Sequence, residues 1–181
     1  MRASIAVTIA ITLTLLPERF AAQEPPLYEG LAPVDALKTL RVAPGFRVEL
    51  AAHEPMVADP VSVAWDDRGR MWVTEMPDYP VGAPEGRVRR LEDSDGDGRL
   101  DQSVVFAQGL PCPTSVLPCG KGVLVAAAPE ILYLEDADGD GRADVRRAVL
   151  ERFGLGTTQL RVNGLLWGID GRIYGANGRS G

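Results

Sequence analysis

The sequence predicts an all-β fold, because its apolar runs are short and tight-turn signals separate them. Its 181 residues include 20 glycines and 14 prolines, a composition that favours many turns over long helices. No segment keeps apolar residues at the i, i+3, i+4 spacing over three turns, so helical repeats are excluded. We expect eleven strands, at Phe46–Leu50, Val61–Trp65, Arg70–Glu75, Arg87–Glu92, Ser103–Phe106, Ser115–Leu117, Val123–Ala127, Ile131–Glu135, Val145–Leu150, Val162–Trp167 and Arg172–Ala176.

An internal repeat refines this prediction to a β-propeller. The run LEDSDGDGR at Leu91–Arg99 recurs 43 residues later as LEDADGDGR at Leu134–Arg142. Units of roughly 40–50 residues with four strands are typical of propeller blades. We expect one blade at Val61–Phe106, a second at Ser115–Leu150 and half of a third at Val162–Ala176. The chain is therefore predicted to be a piece of a larger protein whose remaining blades are missing here.

The N-terminus predicts an export signal at residues 1–22. Arg2 supplies a positive charge, Ala3–Leu16 is an apolar run of 14 residues, and Ala22 ends a small-residue cleavage site. The run is shorter than the roughly 20 residues of a membrane span. Phe20 is unfavourable for cleavage, which leaves an uncleaved signal anchor as the alternative. We expect an exported protein, periplasmic or in the cell envelope, with no transmembrane helix in its mature part.

The remaining chain divides into two predicted regions. Residues 23–45 form an extended segment with one helical turn at Val34–Thr39, and residues 46–181 form the partial propeller. The net charge is −6 and no basic block is present, so nucleic acid is excluded as a partner. Export permits a disulfide between Cys112 and Cys119, but an extended Thr114–Pro118 would hold them too far apart. Two unpaired cysteines are the alternative.

Two Asp-rich loops carry the most specific chemical signal, and both fit D-x-D-x-D-G-x-x-D. We call Asp93–Asp101 loop 1 and Asp136–Asp144 loop 2. Four carboxylates within nine residues repel one another unless a hard divalent cation lies among them, and flexible oxygen coordination favours calcium over magnesium. Each predicted ligand set has four side chains and one backbone carbonyl: Asp93, Asp95, Asp97, Asp101 and the carbonyl of Arg99; and Asp136, Asp138, Asp140, Asp144 and the carbonyl of Arg142.

These loops differ from EF-hands. The twelfth positions, Val104 and Arg147, lack the bidentate glutamate of that motif, and the flanking segments are strand-like. Gly98 and Gly141 permit the sharp turn that brings early and late ligands together. The alternative is a solvated acidic hairpin without an ion. Metal centres based on histidine are excluded, because His53 is the single histidine.

Several motifs together resemble a known family. They are the opening VAPGFRVEL at Val42–Leu50, the run EMPDYP at Glu75–Pro80, the GRV that precedes loop 1, and RVNGL with WG and YGANG at Arg161–Gly178. Over about Pro33 to Gly181 the chain resembles the N-terminal propeller of large proteins described as membrane-bound dehydrogenases in planctomycete-type bacteria. That propeller is similar to soluble quinoprotein glucose/sorbosone dehydrogenases, which have six blades and use pyrroloquinoline quinone (PQQ) with calcium.

The resemblance implies a sugar or alcohol substrate and, as pocket residues that hold the cofactor, Arg161, Asn163 and Asn177. One departure opposes catalysis: the position nearest to the histidine base of the quinoproteins is Leu160, which cannot transfer a proton. We therefore assign no catalytic residue and expect this chain alone to be inactive. The two asparagines are alternatively turn residues. A calcium-stabilised binding propeller without chemistry, or a gene fragment without activity of its own, is the alternative function.

The tryptophans Trp65, Trp72 and Trp167 allow two interpretations. They form either a stacking platform for a sugar or quinone, or core residues between blades, and we favour the core. Asp78 and Tyr79 follow a predicted strand in a loop, where they are weaker candidates for contact with a ligand.

Overall fold

The structure is a computed structural model that describes residues 30–80 and 82–179. The predicted export signal and residues 23–29 lie outside the described residues. The described part is all-β apart from the helix α1 at Pro33–Thr39, which confirms the predicted helical turn, and a 3₁₀ turn at Thr158–Leu160. The strands are β1 Pro60–Trp65, β2 Met71–Glu75, β3 Gly86–Glu92, β4 Gln102–Leu110, β5 Ser115–Cys119, β6 Gly122–Ala127, β7 Glu130–Glu135, β8 Val145–Glu151, β9 Asn163–Trp167 and β10 Ile173–Ala176.

These strands form two four-stranded sheets and one hairpin, all antiparallel. The first sheet has the order β1-β2-β3-β4, the second β5-β6-β7-β8, and β9 pairs with β10. This confirms the expected grouping of strands. The turn glycines Gly69, Gly120 and Gly171 all adopt positive φ, which side chains other than glycine rarely do.

One predicted strand is wrong. Phe46–Leu50 has no strand partner in the described residues, and Phe46 is 75% exposed. Its alternation of apolar and polar residues is typical of a strand. The side chains of Arg47 and Glu49 nevertheless form an exposed ion pair, with 2.9 Å between Nη2 and Oε1. A period of two shows which residues share a face, not whether a neighbouring strand supplies hydrogen bonds.

The main core lies between the two four-stranded sheets. Trp72 and Phe106 of the first sheet meet edge-to-face, with ring centroids 4.7 Å apart, and pack against Val125 and Leu134 of the second. Trp72 is therefore the core residue that the sequence predicted. Trp65 and Trp167 are instead 55% and 48% exposed, so their predicted burial is wrong in the described structure.

The second sheet lies between its neighbours. Its other face packs on the hairpin, where Leu117, Leu124 and Ile131 meet Val162 and Leu165. The first strands of the three units are adjacent, because β5 contacts β1 on one side and β9 on the other. The starts of these three strands therefore converge at one end of the molecule.

The free face of the first sheet is covered in part by the segment that precedes β1. Met56 and Val57 pack on Met71, Val73 and Leu91. Beside them Glu75 is fully buried: its Oε1 accepts hydrogen bonds from the amide of Ala58 (2.8 Å) and from Nε of Arg89 (2.7 Å), and its Oε2 lies 2.9 Å from Nε of Arg87. This buried ion pair fastens the segment to β2.

The two cysteines do not pair with each other in the structure. Cys112 is buried, Cys119 is half-buried, and both are free, so the unpaired alternative holds. Within residues 30–80 and 82–179, no helix has the length and apolar character needed to cross a membrane.

Candidate functional site

Loop 1 connects β3 to β4 and is organised by its own carboxylates. Asp93 accepts hydrogen bonds from the amides of Gly96 (2.7 Å) and Gly98 (2.8 Å). Asp95 accepts from the amide of Asp97 at 3.1 Å. Gly98 has φ of 89°, the left-handed conformation that its position in the motif predicts. The sequence therefore sets this turn through side-chain to backbone bonds two to five residues apart.

Loop 2 connects β7 to β8 and repeats this pattern. Asp136 accepts from the amides of Gly139 (2.6 Å) and Gly141 (2.9 Å), and Asp138 accepts from the amide of Asp140 at 3.1 Å. Gly141 has φ of 91°. Both loops thus occupy the same position in their sheets, between the third and fourth strands, and fold in the same way.

Carboxylate oxygens converge in both loops. Oxygens of Asp93, Asp95 and Asp97 lie within 4.8 Å of one another, and so do those of three aspartates in loop 2. That set consists of Asp136, Asp138 and Asp144. The donors are hard anionic oxygens in a flexible turn, the chemistry that calcium prefers, so the residues present fit this ion.

The other predicted ligands lie beside these clusters. Asp101 accepts from the amide of Ser94 (2.9 Å) and from its hydroxyl (2.6 Å), and these bonds hold the pKa of Asp101 below its ordinary value. Asp140 accepts from the amide of Arg142 at 2.8 Å. The carbonyls of Arg99 and Arg142 remain predicted ligands.

A cleft of 680 Å³ opens where the starts of β1, β5 and β9 converge. Most of its polar lining is uncharged, and Asp59 is the one charged side chain among the described residues that line it. The hydroxyl and carboxamide groups in the lining belong to Ser62, Tyr79, Thr114, Ser115, Thr158, Gln159 and Asn163.

Hydrogen bonds across the cleft join its three walls. The hydroxyl of Thr158 donates to the carbonyl of Pro80 at 3.0 Å, and the carboxamide of Gln159 donates to the hydroxyl of Tyr79. Ser115 accepts from the amide of Leu165 through its Oγ at 3.0 Å. The loop after β2 and the 3₁₀ turn before β9 thus meet at the mouth of the cleft.

The structure brings one of the three predicted pocket residues to this cleft. Asn163 lines it and donates to the carbonyl of Arg161 at 3.0 Å. Arg161 does not line it and points its Nη2 to the carbonyl of Leu155 at 3.3 Å. Asn177 is exposed and lies outside the lining. Leu160 is 39% exposed at the end of the 3₁₀ turn.

The described lining does not fit the quinone that the resemblance implies. PQQ carries three carboxylates, and anionic groups are bound by arginine, lysine or a metal ion. No arginine or lysine lines the described cleft, and Asp59 would repel the cofactor. We therefore derive no chemical step through PQQ.

Sequence reasoning missed a buried polar cluster behind the cleft. Asp78 is only 6% exposed, and its Oδ2 accepts from the amide of Cys112 at 3.0 Å and from its thiol at 3.4 Å. Burial raises the pKa of the Cys112 thiol, the Asp78 carboxylate raises it further, and Arg161 opposes both. The run EMPDYP contained Asp78, but nothing local in the sequence connects it with a residue so far along the chain.

Comparison with known proteins gives one match. No curated protein and no solved structure matches the chain. A family model described as a domain of unknown function, DUF7133, matches residues 32–181. This match covers both sheets, the hairpin, both Asp-rich loops and the cleft. The chain belongs to the DUF7133 family.

Proposed function

We propose that this chain is a calcium-stabilised part of an exported β-propeller, with one calcium ion bound in loop 1 and one in loop 2. The observation that carries the proposal is the duplication of the loop in three dimensions. Asp95 and Asp138 occupy the same place in two equivalent turns, and each lies in a cluster of three carboxylates. An acidic turn without a function would not be expected to recur with the same carboxylate cluster in both sheets.

The packing of the sheets supports the propeller. Each unit packs face to face on the next, and the first strands β1, β5 and β9 are neighbours. Blades of a propeller pack in this way around a central axis that their first strands surround. The two sheets and the hairpin correspond to two blades and half of a third.

The ion would act mainly on stability. Three carboxylates within 4.8 Å repel one another, and they are largely exposed, so solvent screens part of this repulsion. A bound calcium ion replaces the repulsion with attraction and holds the two strands of the hairpin together. Binding to the folded state alone raises the free energy of unfolding with calcium concentration.

Calorimetric titration of the full chain with calcium tests the sites, with Asp95→Asn and Asp138→Asn as matched variants. Asparagine keeps the oxygen that accepts the turn hydrogen bond and removes the charge. We expect two ions for the wild type, one for each variant and none for the double variant. Asp67→Asn, in the exposed β1–β2 turn, is the control and should still bind two. Absence of calcium-dependent heat in the wild type would refute the proposal.

A second candidate function is the binding of a small uncharged sugar or alcohol in the cleft. The hydroxyl and carboxamide groups of the lining favour it, because uncharged groups of this kind form hydrogen bonds with ligand hydroxyls. The resemblance to sugar dehydrogenases points to the same ligands, whereas Leu160 and the absence of arginine and lysine from the described lining oppose quinone chemistry. We therefore propose that the cleft binds a sugar or alcohol and does not oxidise it.

Two measurements on the calcium-loaded full chain separate these functions. Titration calorimetry with a panel of aldoses and polyols should detect binding that Asn163→Ala weakens. Dye-coupled oxidation of the same panel with PQQ added should give no turnover. Turnover would favour a dehydrogenase, and the absence of any binding would remove the cleft as a ligand site.

A further inference from the structure

The two Asp-rich loops share their internal bonds but have different surroundings. In loop 2 the amide of Ala143 donates to the carbonyl of Phe106 in β4, at 2.8 Å. This main-chain hydrogen bond connects loop 2 of the second sheet to strand β4 of the first sheet. The equivalent residue in loop 1 is Leu100, whose amide has no main-chain partner of this kind among the described residues.

Side-chain packing shows the same difference. A β-carbon added at the buried Gly141 of loop 2 would lie 3.4 Å from Nη2 of Arg90 and 3.7 Å from Val104, both in the first sheet. A β-carbon at the equivalent Gly98 of loop 1 would meet nothing within 4 Å. Residues 94–99 of loop 1 are all exposed.

Two residues of loop 2 also line a cavity between the sheets. This cavity has a volume of 750 Å³, and Asp136 and Gly139 line it together with Arg90, Trp72 and Phe106 of the first sheet. The first sheet thus meets loop 2 through a main-chain bond and the guanidinium of Arg90, and the two aromatic rings line the same cavity.

We propose that loop 2 is a calcium-dependent clamp between the two sheets, whereas loop 1 meets no second sheet among the described residues. The inference rests on the proposed calcium sites. Ala143 lies directly before Asp144, one of the converging carboxylates. An ion that holds Asp144 against Asp136 and Asp138 therefore fixes the amide of Ala143 toward Phe106. Without the ion the carboxylates repel one another, the turn spreads and the bond between the sheets opens more often.

Amide hydrogen exchange of the full chain, measured by NMR with and without calcium, tests the clamp. Exchange of an amide slows in proportion to how rarely its hydrogen bond opens. We expect calcium to slow exchange at Ala143 by a factor of at least about ten in the wild type and in Asp95→Asn. In Asp138→Asn calcium should leave this rate unchanged. The amide of Leu100, the equivalent residue in loop 1, is the internal control.

A second readout reports on the sheets themselves. Calcium should raise the urea midpoint of Asp95→Asn, which keeps loop 2, more than that of Asp138→Asn, which keeps loop 1. Two results would overturn the clamp and leave the calcium sites intact. One is an equal rise of the urea midpoint with calcium in the two variants. The other is an exchange rate of the Ala143 amide that calcium does not change in a wild type that binds two ions. A wild type that binds no calcium in calorimetry would remove the proposed function and the clamp together.

Discussion

The carboxylate of Asp78 accepts a hydrogen bond from the backbone amide of Cys112, at 3.0 Å between Oδ2 and N. This bond connects the loop after β2 in the first sheet to the segment that leads into β5 of the second. Cys112 has φ of 44°, a conformation that few residues other than glycine adopt. The bond therefore holds a strained backbone position at the junction of the sheets and supports the wall of the cleft beside Tyr79.

We expect Asp78→Ala to destabilise the protein by roughly 1–3 kcal/mol, because the buried amide of Cys112 loses its acceptor. Urea unfolding measures the effect, with Asp67→Ala at an exposed turn as the control. A change within about 0.5 kcal/mol, as is usual at exposed positions, would contradict this role of Asp78.

The same pair predicts a change in thiol reactivity. Burial and then the Asp78 carboxylate raise the pKa of Cys112, so the thiol stays protonated at neutral pH. Asp78→Asn removes the negative charge and should lower this pKa, which increases the rate of reaction with a thiol reagent. The measurement uses a Cys119→Ser background, so that only Cys112 reacts. An unchanged or slower rate in the folded protein would show that the carboxylate does not control the thiol.

Asp66 is expected to make stability depend on pH. Burial raises its pKa, but hydrogen bonds from the indole of Trp72 (2.9 Å), from the side chain of Arg70 (2.7 Å) and from two backbone amides outweigh burial, and the pKa lies below the ordinary 3.8. A carboxyl with a lowered folded pKa stabilises the protein above its unfolded pKa. This contribution is lost as the pH falls through the folded pKa.

Asp66→Asn should therefore cost about 1–3 kcal/mol at pH 7, because its amide nitrogen cannot accept from Trp72 and Arg70. The difference from the wild type should shrink as the pH falls below 3.8. Denaturant unfolding at a series of pH values checks both points, with Asp67→Asn as the control. A difference that stays constant with pH would exclude the ionised carboxylate as its cause.

Gly122 should tolerate no side chain. It begins β6, and a β-carbon there would overlap the backbone carbonyl of Leu134 in β7. We expect Gly122→Ala to cost roughly 1–3 kcal/mol or more, because backbone atoms cannot move aside as a flexible side chain can. Gly30→Ala, where no atom of the described residues lies within 4 Å of the added β-carbon, is the control for the loss of a glycine. Equal thermal stability of the two variants would contradict the close approach.

Exposed apolar faces predict self-association of the isolated chain. Val61, Val63 and Trp65 alternate along β1 on one exposed face, and Leu166 and Tyr174 are exposed on the hairpin. Apolar faces of this kind associate in water. Sedimentation should show a mass that rises with concentration, and Val63→Lys should reduce it while Gln108→Lys should not. A wild-type monomer at all concentrations would count against this expectation.

Local patterns determined much of the fold from the sequence alone. Ten of the eleven expected strands form, because strand alternation and turn glycines act over a few residues. The Asp-rich turns also follow from the sequence, since Asp93 and Asp136 bond to amides three and five residues further on. The strand predicted at Phe46–Leu50 does not form. Its alternating pattern carries no information on whether a neighbouring strand supplies hydrogen bonds, and none does among the described residues.

Tertiary structure decided everything that depends on distant partners. Trp65 and Trp72 come from similar strands, yet only Trp72 is buried, because the second sheet covers one face of the first and leaves part of the other free. Loop 1 and loop 2 have almost the same sequence, but among the described residues only loop 2 contacts another sheet. Sequence specifies which side chains a turn or strand presents, whereas the order in which sheets stack determines what those side chains meet.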